Sequence, residues 1–186
     1  MTKIFCIGWQ KTGTKSLGSA LRSLGYTTGS WNPELLYRWH EGKLHRLVSA
    51  TKEADAFQDF PWPLAFRELD RAFPDAKFLL TVRQSETGWP QSLQDHVARS
   101  PRSLGHYLVY GSYDPFADAD RHVERYREHN RAVRDHFAGR TGKLLELCFD
   151  RGDGWAALCR FLGKPDVPGI PFPRLNTRER PHVLRG

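Results

Sequence analysis

Apolar positions along the chain fall into two patterns: short unbroken runs of strand length, and longer stretches repeating with a helical period. The runs predict strands at about 3 to 8, 54 to 58, 77 to 82 and 143 to 148. The periodic stretches predict helices at about 14 to 24, 35 to 52, 64 to 73, 89 to 99, 119 to 137 and 155 to 162. In the second helix Leu36, Trp39, Leu44 and Leu47 share part of one face, and in the fifth Val123, Tyr126, Val133 and Phe137 point toward the core. Between 100 and 118, Pro101, Gly105, Gly111 and Pro115 predict a long irregular segment, a feature more often functional than incidental in a compact domain. Unbroken apolar strands alternating with helices belong to a mainly parallel sheet covered on both faces, a three-layer α/β/α architecture. No repeat or internal boundary interrupts it, so residues 1–186 read as a single domain with an extended, Pro-rich tail from about 165.

In such sheets ligands sit beyond the carboxyl ends of the strands, which gathers Gly8 to Ser16, Asp59 and Arg83 on one rim. The stretch Phe5-Cys6-Ile7-Gly8-Trp9-Gln10-Lys11-Thr12-Gly13-Thr14-Lys15-Ser16-Leu17 runs from an apolar strand through a Gly- and hydroxyl-rich turn into a helix. Unpaired N–H groups and the helix dipole at that junction form an anion cradle at residues 10 to 16. The loop is not G-x-x-x-x-G-K-[ST]: Thr14 and Lys15 stand where that pattern needs Lys and a magnesium-binding hydroxyl. Only a one-residue slip would bring Ser16 to the metal, so metal-free transfer of an anionic group is expected.

Charge agrees with an anionic ligand: 28 Lys and Arg against 21 Asp and Glu leave a net +7. Basic residues are dispersed and mixed with acids between Arg121 and Arg134, so neither nucleic acid nor a membrane surface is an expected partner. No apolar run is long enough to cross a bilayer, and the N-terminal run is too short for a signal peptide, so a soluble, cytoplasmic protein is expected. Cys6, Cys148 and Cys159 stand singly and read as buried thiols. The histidines lack metal-ligand spacing. Oligomeric state leaves no mark on the sequence.

Lys11-Thr12-Gly13-Thr14-Lys15-Ser16 after a strand resembles the loop that holds the 5'-phosphosulfate in sulfotransferases using 3'-phosphoadenosine 5'-phosphosulfate (PAPS). A second block, Pro74 to Arg83 followed by Trp89 and Ser92, resembles that family's 3'-phosphate segment. Order and separation fit the small bacterial-type members, whose fold is P-loop NTPase-like. Weaker likeness runs through Asp59-Phe60-Pro61-Trp62 and Pro171 to Asn176. One departure stands out: Ser92 lies nine residues after Arg83 where the usual spacing is eight. Either the Gly88 region absorbs a residue, or Gln91 or Ser85 replaces Ser92.

The resemblance implies an enzyme moving a sulfuryl group from PAPS to a hydroxyl or amine of a small acceptor. Lys11 would face the leaving oxygen and Gln10, Lys11, Thr12, Gly13, Thr14, Lys15 and Ser16 the 5'-phosphate, the hydroxyls of Thr12, Thr14 and Ser16 helping. Arg83 and Ser92 would hold the 3'-phosphate and Asp59 would be the general base, with no metal. Asp59 before Pro61 reads equally as a helix cap. His40, His45, His96 and His106 are the histidines able to approach the rim, and Trp31, Trp62 and Trp89 are candidates to stack on adenine. Arg174, Arg178 and Arg180 would lie over the nucleotide. Aromatics in 28 to 50 and 98 to 118 would wall the acceptor pocket. A kinase with a shifted P-loop, or a non-catalytic nucleotide-binding module, remains the alternative.

Overall fold

A computed structural model describes residues 2–85, 88–99 and 103–175. Five strands, β1 (Ile4–Cys6), β2 (Thr28–Gly29), β3 (Ala56–Phe57), β4 (Lys77–Thr81) and β5 (Leu144–Leu147), form a sheet in the order β2-β3-β1-β4-β5. Every neighbouring pair is parallel, with Phe5 opposite Phe57 on one side and Phe78 on the other. Eight described helices flank it: α1 (Thr14–Ser23), α2 (Pro33–His40), α3 (Leu44–Ala50), α4 (Phe66–Ala72), α5 (Gly88–Val97), α6 (Leu104–Tyr110), α7 (Ala119–Phe137) and α8 (Trp155–Leu162). The three-layer α/β/α fold read from the sequence is the fold observed.

The pleat divides the core in two. Ile4, Cys6, Leu79 and Leu147 face one way, onto Leu17, Ala20 and Leu21 of α1 and Leu158 and Cys159 of α8. Phe5, Ile7, Phe78 and Leu80 face the other way, onto Leu47, Phe66 and Leu69 and onto Val133 and Phe137 of α7. A third cluster, Trp9, Leu36, Phe60, Trp89, Leu93, Val109, Tyr110 and Tyr126, caps the carboxyl rim and binds α2, α5 and α6 to α7. Its centre is Trp89 stacked on Tyr126, ring centroids 4.6 Å apart and nearly parallel. All three cysteines are buried and unbridged.

Several local expectations needed correction. The helix expected over 35 to 52 is two helices, because Gly42 takes the left-handed conformation at φ 75. Lys43 N–H then closes back on Arg38 O and ends the first of them. The segment 100 to 118 contains α6, capped by the Ser103 side chain, which accepts from His106 N–H. That helix ends at Gly111, again left-handed at φ 71. Two residues carry no periodicity, which is why the sequence reading omits β2. On α7 the inward face is His122, Tyr126, His129, Asn130, Val133 and Phe137, while Val123 is only half-buried. Spacings of three and four make that face a regular stripe, and reading histidine as a surface residue conceals it.

Candidate active site

Strand β1 lies at the centre of the sheet, and the chain crosses from one side of it to the other between β3 and β4, so the loop after β1 emerges at the switch point. Gly8 is needed there for close approach: a Cβ would lie 2.0 Å from Thr81 Oγ1 and 2.6 Å from Thr81 O. Gly13 caps α1 in the left-handed conformation, φ 97 and ψ 22, with no side-chain hydrogen bond. A Cβ on it would meet the Phe149 ring at 2.5 Å. The first helical bond runs from Leu17 N–H to Gly13 O at 3.0 Å. N–H groups of Thr14, Lys15 and Ser16 therefore have no helical acceptor, and the positive end of the α1 dipole is uncapped.

The hydroxyls differ in what they can offer. Thr12 is buried, its Oγ1 donating to Trp9 O at 2.5 Å and sharing a hydrogen bond with Thr81 Oγ1 at 2.5 Å, so toward an anion it presents its backbone rather than its hydroxyl. Ser16 Oγ accepts from Leu175 N–H at 3.0 Å, which lays the tail across the start of α1. Lys11 is half-buried and left-handed at φ 68, and Lys15 is exposed. Gln10 is held from two sides: Trp89 Nε1 donates to its carbonyl at 2.9 Å, and its own Nε2 donates to Tyr110 Oη at 2.8 Å.

Arg83 follows β4, the neighbour of β1, so its distance from the loop is set by sheet pairing. Its backbone N–H donates to Tyr126 Oη at 3.1 Å, and its Nε lies 3.3 Å from Asp150 Oδ2, without the alignment of a hydrogen bond. Gln84 N–H also donates to Asp150 Oδ2, so this carboxylate organises the turn. Ser92 is half-buried on the second turn of α5, between buried Trp89 and Leu93, and exposed Gln91 donates to Asp95 instead.

Asp59 follows β3 in the left-handed conformation at φ 60 and accepts from Ser30 Oγ at 3.3 Å. Helix α4 starts only at Phe66, with Ala65 as its N-cap, so Asp59 is a turn residue rather than a helix cap. His96, exposed near the end of α5, feels the charges of Lys11, Lys15 and Asp59. Partial desolvation, then the neighbouring lysines and Arg99, push its pKa down against the pull of Asp59, which leaves a neutral imidazole at neutral pH.

A histidine pair joins α6 to α7. His122 Nδ1 donates to Asp118 O at 2.8 Å, and its Nε2 lies 3.0 Å from His106 Nε2. With its proton on Nδ1, His122 accepts through Nε2 and His106 donates. Burial foremost, then the neighbouring imidazole of His122, drive His106 down to about 4. Both rings pack on Tyr110, whose hydroxyl holds Gln10, so α6 and α7 jointly set the position of the loop.

Of the candidate adenine partners, Trp62 and Trp89 are buried with their faces occupied, whereas Trp31 is 45% exposed and stands edge-on to Phe60 beside Ser30 and Asp59. Of the rim histidines, His40 and His45 lie on α2 and α3, His96 stands in the field of Lys11, Lys15 and Asp59, and His106 pairs with His122. Arg174 is exposed in the tail, and Arg178 and Arg180 lie outside the described residues. No described helix is long and apolar enough to cross a membrane, and among the described residues no three His, Cys, Asp or Glu gather into a metal site.

The profile of a family described as "Sulfotransferase domain" matches residues 3–180, nearly the whole chain. No curated protein matches it.

Proposed function

Because this chain belongs to the sulfotransferase domain family, we propose that it transfers a sulfuryl group from PAPS to a hydroxyl or amine of a small acceptor. The observation that carries the reading is the uncapped start of α1 behind Gly13, with Lys11 beside it and Arg83 at the end of the adjacent strand. Backbone N–H groups of residues 12 to 16 receive the 5'-phosphate. Arg83 pairs with the 3'-phosphate as a planar, permanently charged group, with Ser92 on α5 as its neighbour.

During transfer the acceptor oxygen or nitrogen attacks sulfur and the bond from sulfur to the phosphate oxygen breaks. Its electron pair leaves with the 5'-phosphate of adenosine 3',5'-bisphosphate. Charge growing on that oxygen is met by the Lys11 ammonium and the α1 dipole. The acceptor's proton passes to a base, and Asp59, in the turn after β3, takes that role. His96 supports a second reading, because it is neutral and shares the electrostatic field of Lys11 and Asp59. The protein acts in the cytoplasm, as one domain and without a metal.

Calorimetric titration with adenosine 3',5'-bisphosphate tests the donor site. Binding should be independent of magnesium, and Arg83→Ala should weaken it about tenfold or more, as expected for losing a charged hydrogen-bonding partner. Preference for magnesium-ATP would replace this reading with phosphoryl transfer.

The base is separated by pH. With Asp59 as base, Asp59→Asn should lower kcat by about 10²–10⁴-fold, while His96→Gln leaves the acid limb unchanged. If His96 takes the proton, the rate falls as pH drops through a value below 6.5, and His96→Gln abolishes that limb.

A further inference from the structure

Behind the donor loop, on the side away from α1, a cleft of about 210 Å³ opens between α2, the start of α4 and α7. Its lining is divided. Trp9, Trp39, Leu64 and Phe66 form an apolar body, and Arg67 and Arg125 supply positive charge. This volume is below the roughly 300–1,000 Å³ of drug-sized sites and matches a compound of one or two rings.

Arg67, Trp9 and His129 set the polar character of the cleft. Arg67 is exposed, rests on the Phe66 ring with its guanidinium carbon 4.5 Å from the centroid, and makes no carboxylate contact among the described residues. The buried Trp9 indole Nε1 has no hydrogen-bond partner. His129 donates through Nε2 to Ile7 O at 2.7 Å. That leaves Nδ1 as the acceptor nitrogen of a neutral ring. Burial above all, and then Arg67 and Arg125, hold its pKa near 4, so the imidazole adds no charge. Glu128 lies against Arg125 at 3.5 Å and offsets that guanidinium, leaving Arg67 as the unneutralised cation of the cleft.

We propose that this cleft is a binding site, separate from the donor cradle, for a small aromatic carboxylic acid. The ring lies against Trp39 and Leu64, and the carboxylate takes the guanidinium of Arg67, which rests on Phe66. A neutral aromatic compound would leave Arg67 unanswered, and a carboxylate without a ring would leave the apolar wall uncovered. The site adjoins the donor loop through Trp9 and the His129 bond to Ile7 O, but shares none of the groups assigned to the nucleotide.

The test follows the tryptophan indole N–H signals by nitrogen-15 NMR while 2-naphthoate is added, with 2-naphthamide as neutral control and Trp9→Phe and Trp39→Phe for assignment. Naphthoate should shift the Trp9 and Trp39 signals saturably, naphthamide should bind far more weakly, and saturating adenosine 3',5'-bisphosphate should not displace the acid. Arg67→Ala, at an exposed position where folding is verified by an unchanged melting temperature, should weaken binding about tenfold, and Arg67→Lys less. Absence of a saturable shift, equal binding of naphthamide, indifference to Arg67→Ala, or displacement by the bisphosphate would each overturn the proposal. Donor binding plays no part in the first three outcomes, so they stand even if the nucleotide reading fails.

Discussion

Lys11→Ala should reduce sulfuryl transfer about 10²–10³-fold in kcat, the range seen when one preorganised group facing a developing charge is removed. The backbone argues that the loss will be chemical rather than structural. Lys11 occupies the left-handed region at φ 68, where alanine and lysine, each with a Cβ, meet similar strain. The loop is otherwise fixed by groups the substitution leaves alone: Gly8 pressed on Thr81, Thr12 bonded to Trp9 and Thr81, and Gln10 clasped by Trp89 and Tyr110. Transition-state stabilisation has a recognisable signature, since kcat and kcat/KM for PAPS fall together while affinity for the bisphosphate product changes much less. Single-turnover measurement with PAPS, beside calorimetry with the product, separates the two. Equal losses in binding and turnover would reduce Lys11 to a phosphate anchor, and an unaltered rate would remove it from the chemistry.

Asp70→Asn should destabilise the fold by about 3 kcal/mol, the lower end for breaking a buried ion cluster. The Asp70 side chain is 6% exposed on α4 and meets three donors from beyond its helix: Arg140, which it pairs with through both oxygens, His136 Nε2 at 2.9 Å and Lys143 Nζ at 3.2 Å. An amide cannot accept from all three, and the charges of Arg140 and Lys143 remain gathered. Burial by itself would raise the Asp70 pKa, but the bonds from Arg140, His136 and Lys143 outweigh it and hold the carboxyl at about 2, below its ordinary 3.8. The folded-state pKa is depressed, so this contribution is fully present above pH 3.8 and is lost as pH falls toward 2. Urea melts of wild type and Asp70→Asn should therefore differ at neutral pH and converge as the acid is titrated. A constant difference across that whole range would contradict the assignment. Asp70 is remote from the rim, so product affinity should not change in the folded variant.

What the sequence determined by itself was whatever depends on neighbours along the chain. Apolar runs such as Lys77 to Val82 mark strands buried on both faces, because no alternation is needed when both sides are covered. The step from β1 through Gly8 and Gly13 into α1 announces an uncapped helix start, because glycines and helix ends are local properties. Spacing after a strand likewise put Arg83 and Asp59 on the same rim as the loop. Only the tertiary structure could decide which way each side chain turns once distant segments meet. Thr12 directs its hydroxyl inward because Thr81, sixty-nine residues on, lies beside it. Trp62 and Trp89 are core residues because other rings cover their faces, which sequence position does not reveal. His122 is buried against His106 and Tyr110 of α6, and His129 gives its proton to Ile7 O across 122 residues of chain. Asp59 and His96, one from a loop after β3 and one from α5, share an electrostatic field through packing alone. Backbone conformation is set largely by the residues adjoining it, whereas hydrogen-bond partners and charge fields are set by whatever the fold brings within a few ångströms.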